Sequence, residues 1–284
     1  MFYTIENEYL SAQINDMGAE LHSLVSKDDG FEYLWQGNPE IWYGQSPVLF
    51  PVIGQLKGDV YRYGGKEYPM NKHGFARKML FEAAEVEGAR AVFVLRTSEE
   101  TLRQFPFEFE LSVCFELVGR AIKVTQSVKN LSDKTMYFSM GAHPGFNCKI
   151  GDYLEFDEAE EDMRCEKIDS TNILTDRYYD VTLENGKAIR LTEDLFDQDA
   201  LILSNLNSSV VTLRSEDHDK SVRFDFGDVP VLGIWAKPNA PYVCLEPWYG
   251  INDDTRGYDD ISAKREIQSL EPDGDFDLVW IAEV

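Results

Sequence analysis

Between Phe107 and Leu117 the chain reads FEFELSVCFEL, and every second residue is apolar. Phe107, Phe109, Leu111, Val113, Phe115 and Leu117 share one face of an extended chain, because successive strand side chains point to opposite sides. A helix would scatter them around its circumference. Gly119-Arg120 interrupts the pattern, and Ile122, Val124, Gln126 and Val128 resume it, so a long hairpin is expected. Shorter alternating stretches are YTIEN, LSAQI, FEYLW, AVFVLR, MYFSM, VVTLRS, VRFDF, YVCLE and FDLVWIA. Turn residues separate them at Lys27-Asp28-Asp29-Gly30, Gly64-Gly65, Asn185-Gly186 and Asp273-Gly274. Helical signal is confined to short pieces within Asp157 to Ile168 and Asp254 to Leu270. No βαβ alternation, GxGxxG or P-loop is present, which sets nucleotide folds aside. No Pro-, Gly- or Ser-rich linker divides the chain. The expectation is all-β: residues 1–284 as a single large antiparallel β-sandwich.

A chain of 284 residues, 43% of them hydrophobic and 13% aromatic, can bury a large core. Its 27 Lys and Arg stand against 51 Asp and Glu, a formal charge of −24. Phosphate backbones need a basic surface, so a nucleic-acid partner is not expected. An anionic membrane surface is disfavoured for the same reason. A neutral small molecule suits this balance. The opening MFYTIENEYL lacks the basic flank and apolar core of a signal peptide. No window approaches the ~20 apolar residues of a membrane span. Cys114, Cys148, Cys165 and Cys244 are widely spaced with no CxxC pair, which argues against structural zinc and for free thiols. A cytoplasmic monomer or homodimer without metal or cofactor is expected.

Four histidines are present. His218, in SEDHDKS, reads as a solvated turn residue, and His22, in GAELHSLV, as a strand residue with a satisfied hydrogen bond. His73 in NKHGFAR and His143 in GAHPGFN are each followed by Gly or Pro where a strand ends. Two readings stay open for these two. Each caps its strand, or the two belong to a site built on the loops of a rigid scaffold. Glu246, in PYVCLEPWYG, sits among apolar and aromatic neighbours that disfavour its charged form, as suits a general base. Its other reading is a Glu paired with Arg or Lys inside the sandwich. Trp235 and Trp248 flank the Glu246 strand and suit a sugar's apolar CH faces, whereas Trp280 in LVWIA reads as core. The acidic runs Asp157–Asp162, Asp253-Asp254 and Asp273-Gly274-Asp275 match no calcium loop and read as solvated.

Taken together, these residues bring out a family likeness. SPVLFPVIGQLKGDVYRYGGKEYPMNKHGFAR, GAHPGFN, DALIL and GIWAKPNAPYVCLEPWYGINDD occur in order, and with them the chain resembles the aldose 1-epimerases (mutarotases), within them the LacX-like branch. That resemblance implies a galactose mutarotase-like supersandwich. It implies Glu246 as general base, His143 as general acid and His73 as the ligand that polarises the ring oxygen. Asp199 corresponds to the substrate-binding aspartate, with Asp197 as the other candidate. Galactose mutarotases carry an arginine before the first histidine, and the nearest basic residue here is Lys57. HGFAR is the form of the sugar-phosphate branch, in which the residue corresponding to Arg77 helps bind phosphate. That branch's further upstream arginine has no counterpart in PVIGQLKG. The resemblance and the charge together imply anomer exchange on a neutral aldohexose such as galactose or glucose. The alternatives are a hexose 6-phosphate as substrate, or carbohydrate binding without turnover. Rivals from other classes are a hydrolase with zinc on His73, His143 and Glu246, and a glycosidase, which needs two carboxylates where only Glu246 has a fitting context.

Overall fold

The structure, a computed structural model, describes residues 1–284. Its main element is a nine-stranded antiparallel sheet. In spatial order the strands are Ala188–Arg190, Tyr153–Phe156, Val210–Arg214, Ser221–Asp225, Asp275–Glu283, Ala121–Asn130, Phe109–Val118, Arg90–Arg96 and Glu82–Glu87. The expected hairpin lies at its centre, with Leu117 opposite Ile122 and Phe115 opposite Val124. Along Phe109–Val118 burial alternates as the pattern requires, and the even-numbered residues are half-buried or exposed. The second layer is an antiparallel sheet of Leu174–Tyr179, Arg164–Ile168, Leu201–Ser204, Val231–Trp235, Tyr242–Tyr249, Met140–Ala142 and Val48–Leu49. Gly145–Asn147 pairs beside it with Tyr242–Tyr249. Aromatic contacts join the layers: Phe146 of the second sheet lies 5.8 Å from Phe224 of the first, and Phe50 lies 5.2 Å from Phe109. Burial of this apolar surface is the main force holding the sheets together.

Tyr242–Tyr249 differs from the hairpin in being buried on both faces almost throughout. Strand alternation sends Val243 and Leu245 toward the sandwich core and Tyr242, Cys244, Glu246 and Trp248 to the other side. A smaller apolar cluster of Ile53, Ile168, Ile202, Val231, Trp248 and Ile251 covers part of that outer face.

Several local expectations are corrected. FEYLW makes isolated bridges at Glu32 and Leu34 but no strand. The Glu32 carboxylate accepts the N–H groups of Leu24 and Leu34 at 2.8 and 2.9 Å, so a side chain replaces ladder partners. Asp157 to Ile168 contains no helix. Its end forms the strand Arg164–Ile168, which buries Cys165 and Ile168. Nor is its acidic run fully solvated. Glu160 is buried and accepts the N–H groups of Asn207 and Ser208. Asp254 to Leu270 holds one 3-10 turn, Ile261–Ala263, capped by Asp260. A single α-helical turn, Glu99–Leu102, closed by a Ser98–Thr101 capping box, arises where no helix is expected. No helix is long and apolar enough to cross a membrane.

Candidate active site

The outer face of the second sheet carries a pocket of ≈ 220 Å³ lined by Trp42, Lys72, His73, Arg77, His143, Ile168, Asn172, Asp199, Ala200, Ile202, Trp235, Glu246, Trp248 and Asn252. Two larger clefts, of ≈ 510 and ≈ 490 Å³, open beside it and share Asp199, but neither contains a histidine. The acid–base groups therefore converge in the smallest of the three.

Glu246 projects from Tyr242–Tyr249 and is 1% exposed. Its register partner on the neighbouring strand is Gly233, and Gly141 on the other side pairs with Trp248. A Cβ at residue 233 would stand 2.8 Å from Trp248 Cζ2 and 3.2 Å from Glu246 Cβ, and one at residue 141 would stand 2.9 Å from Trp248 Cδ1. Two strand glycines thus let the indole lie across both neighbours beside the carboxylate.

His143 follows the strand Met140–Ala142, and its Nε2 lies 3.2 Å from Glu246 Oε2. Trp42 stacks on His143 at 5.1 Å between ring centroids, and Trp235 meets the imidazole edge-on at 5.7 Å. His73 sits in a left-handed turn, φ +64°, just before Gly74, φ +74°. Its N–H donates to the Gly54 carbonyl at 3.0 Å, and the Gly54 N–H donates to His73 Nδ1 at 3.2 Å. With Nδ1 accepting, the neutral ring carries its hydrogen on Nε2 and offers only a donor there.

Desolvation dominates the electrostatics. Burial pushes the Glu246 carboxyl well above the usual carboxylate range, with the positive charge of Lys72 opposing. Burial brings His143 down to about 3, assisted by the charges of Arg77 and Lys72. Burial likewise holds His73 well below its ordinary value. Burial thus shifts both members of the Glu246–His143 pair toward their neutral forms.

Most predicted site residues meet here: Glu246, His143, His73, Asp199, Arg77, Trp235 and Trp248 all line the pocket. Of the two aspartates, Asp199 faces it, whereas Asp197 is exposed in the neighbouring cleft. Lys57 does not join them. It is exposed in the turn Lys57–Asp59, and only its main-chain N–H is engaged, by Asp253. The lysine in the pocket is Lys72, whose Nζ donates to Asn172 Oδ1 at 2.9 Å. It directly precedes His73 in NKHGFAR, so its neighbour was the available clue. Trp42, Asn172 and Asn252 are also new; Asn252 belongs to the GIWAKPNAPYVCLEPWYGINDD stretch, whereas nothing local marks Trp42 or Asn172. Asn252 donates to the Asn172 carbonyl and Arg77 to the Lys72 carbonyl, both at 2.8 Å, which ties the loops around the pocket together. The three groups close enough to hold a metal are not the His73 set of the hydrolase reading. They are His143, Cys244 and Glu246, whose donor atoms lie within 4.8 Å of one another.

With this geometry in hand, likeness to known proteins becomes specific. Residues 1–254 match the sequence model for aldose 1-epimerase. The plasmid-borne protein LacX of Lactococcus lactis subsp. lactis is 40% identical over 266 residues, 89% of each chain. A galactose mutarotase related enzyme from Lactobacillus acidophilus shares 36% identity at a TM-score of 0.93, covering 100% of this chain and 97% of its own. A galactose mutarotase-like protein from Lactobacillus casei ATCC 334 shares 33% identity at a TM-score of 0.94, with 100% and 99% coverage.

Proposed function

The chain belongs to the aldose 1-epimerase family, and on that premise we propose that it interconverts the α and β anomers of an aldohexose such as galactose or glucose, with Glu246 as base and His143 as acid. The observation that carries this reading is the 3.2 Å approach of His143 Nε2 to Glu246 Oε2 in a pocket walled by tryptophans. Opening a hemiacetal requires one proton to leave the C1 hydroxyl and another to reach the ring oxygen. Glu246 takes the first and His143 gives the second. Rotation about C1–C2 and reclosure with reversed roles deliver the other anomer. The His73 Nε2–H holds the ring oxygen, Asp199 fixes hydroxyls, and Trp235 and Trp248 face the CH surfaces of the ring.

Burial raises the Glu246 carboxyl and lowers the His143 imidazole, so a single proton shared by the pair favours the carboxyl. The reactive pair, carboxylate and imidazolium, carries the same number, moved to Nε2. A sugar whose hydroxyls solvate the ions favours that shift without exchange with bulk water. The pair must therefore hold one proton, and activity follows a bell whose limits belong to the pair as a whole. Below the depressed value of His143 a second proton arrives and the base is lost. Above the raised value of Glu246 the single proton departs and the acid is lost.

A second reading, a hexose 6-phosphate as substrate, is favoured by Arg77. Arg77 lines the pocket, and its Nε is buried without a hydrogen-bond partner. Polarimetry of freshly dissolved α-D-galactose and α-D-glucose, in chelator, tests the first reading. Faster relaxation to the same final rotation supports it, and the absence of acceleration overturns it. Glucose 6-phosphate in the same assay decides the second.

A further inference from the structure

Cys244 belongs to the same outward row as Glu246, yet proton transfer has no use for it. Its thiol is fully buried and free. Its Sγ lies within 4.8 Å of donor atoms of His143 and Glu246. Glu246 Oε2 and His143 Nδ1 are buried with no hydrogen-bond partner. Two ligands ~2.1 Å from a tetrahedral zinc stand ~3.4 Å apart, and Nε2 and Oε2 already stand at 3.2 Å. With the donor atoms within 4.8 Å of one another, the sulfur must close by up to about an ångström to complete a tetrahedral set at its ~2.3 Å bond length. A sulfur–nitrogen–oxygen set suits zinc and its neighbours in the transition series, not magnesium or calcium, which prefer all-oxygen shells.

We propose that His143, Cys244 and Glu246 form a three-donor site for a zinc-like divalent cation, its fourth position open to the pocket. Binding displaces the thiol proton, and the carboxyl proton where present, to solvent, with no change of oxidation state. The cation occupies the atoms that the acid–base pair needs, so it inhibits, unlike the metal of a zinc hydrolase.

The test is titration of the chelator-treated full-length protein with Co²⁺, followed by absorption. The expected result is one bound equivalent, a thiolate-to-cobalt charge-transfer band in the near ultraviolet, and displacement by Zn²⁺. Cys244→Ser removes that band and weakens Zn²⁺ binding by more than the about 10- to 100-fold that losing an outer-shell partner costs. Should that variant fail to fold, His143→Asn, which keeps the thiol, must weaken binding comparably. Absence of stoichiometric binding, or a band that survives Cys244→Ser, overturns the proposal. The spectral readout does not depend on mutarotation, so failure of the proposed activity leaves it standing. If the activity is present, Zn²⁺ abolishes it and chelator restores it.

Discussion

Two buried acid–base pairs lie on the same stretch of chain and behave oppositely. Asp253, on the loop after the Glu246 strand, meets Lys264 Nζ at 2.9 Å, and its other oxygen accepts the Lys57 N–H at 2.9 Å. Both residues are about as buried as Glu246 and His143. Burial lowers the ammonium of Lys264, but the Asp253 charge opposes that shift. Glu246 faces an imidazole that burial holds toward its neutral form. The first pair brings a lysine against a carboxyl group that also holds a main-chain N–H. The second is held neutral by desolvation and has one proton to move. Burial of charge alone does not distinguish the two pairs; the candidate site is the one in which burial shifts both partners toward their neutral forms.

Substitutions sharpen this contrast. The largest effect is expected from Glu246→Gln, which removes the base and lowers kcat by about 10² to 10⁴-fold without loss of thermal stability. Near-normal turnover of galactose or glucose would remove Glu246 from the mechanism. Asp253→Ala leaves the Lys264 ammonium buried and unpaired, a cost of about 3–5 kcal/mol, measurable as a fall in the denaturant midpoint. An unchanged midpoint would make that pair dispensable. Gly233→Ala drives a methyl into Trp248 and Glu246. It is expected to cost about 1–3 kcal/mol in stability, the usual penalty for overpacking, and to raise KM as the indole shifts. The smallest effect belongs to Lys72→Met. Removing a positive charge that lowers both groups moves both limbs of the pH–kcat/KM profile to higher pH, by up to about one unit. A profile that stays in place would show that Lys72 acts on Asn172 and the loop alone.

The sandwich was legible because alternation is a local property. Phe109, Leu111, Val113, Phe115 and Leu117 state their face without knowledge of their partners, and the Gly119-Arg120 turn fixes the register. FEYLW carries the same alternation and forms no strand, because the Glu32 carboxylate captures the amides that a neighbouring strand would have taken. The run Asp157–Asp162 reads as solvated by composition, yet Glu160 finds two buried N–H groups on a loop distant in sequence.

The site divides along the same line. His73, His143 and Glu246 stand in short contexts that announce themselves, as does the Arg77 of HGFAR. Lys57 and Lys72 both neighbour promising motifs, and composition cannot choose between them. The turn at Lys57–Asp59 leaves one lysine in solvent, while the left-handed turn at His73 carries the other to the pocket. Trp42 reaches His143 because Gly44 beside it and Gly145 on another segment both leave room for its ring. By itself the sequence determined strand character and the histidine and glutamate contexts of the candidate site, which depend on side-chain period and chemistry. Tertiary structure alone decided which lysine and which further tryptophan line the pocket, and that Cys244 stands beside the His143–Glu246 pair. Those choices are distances between segments far apart in the chain, and no local pattern encodes them.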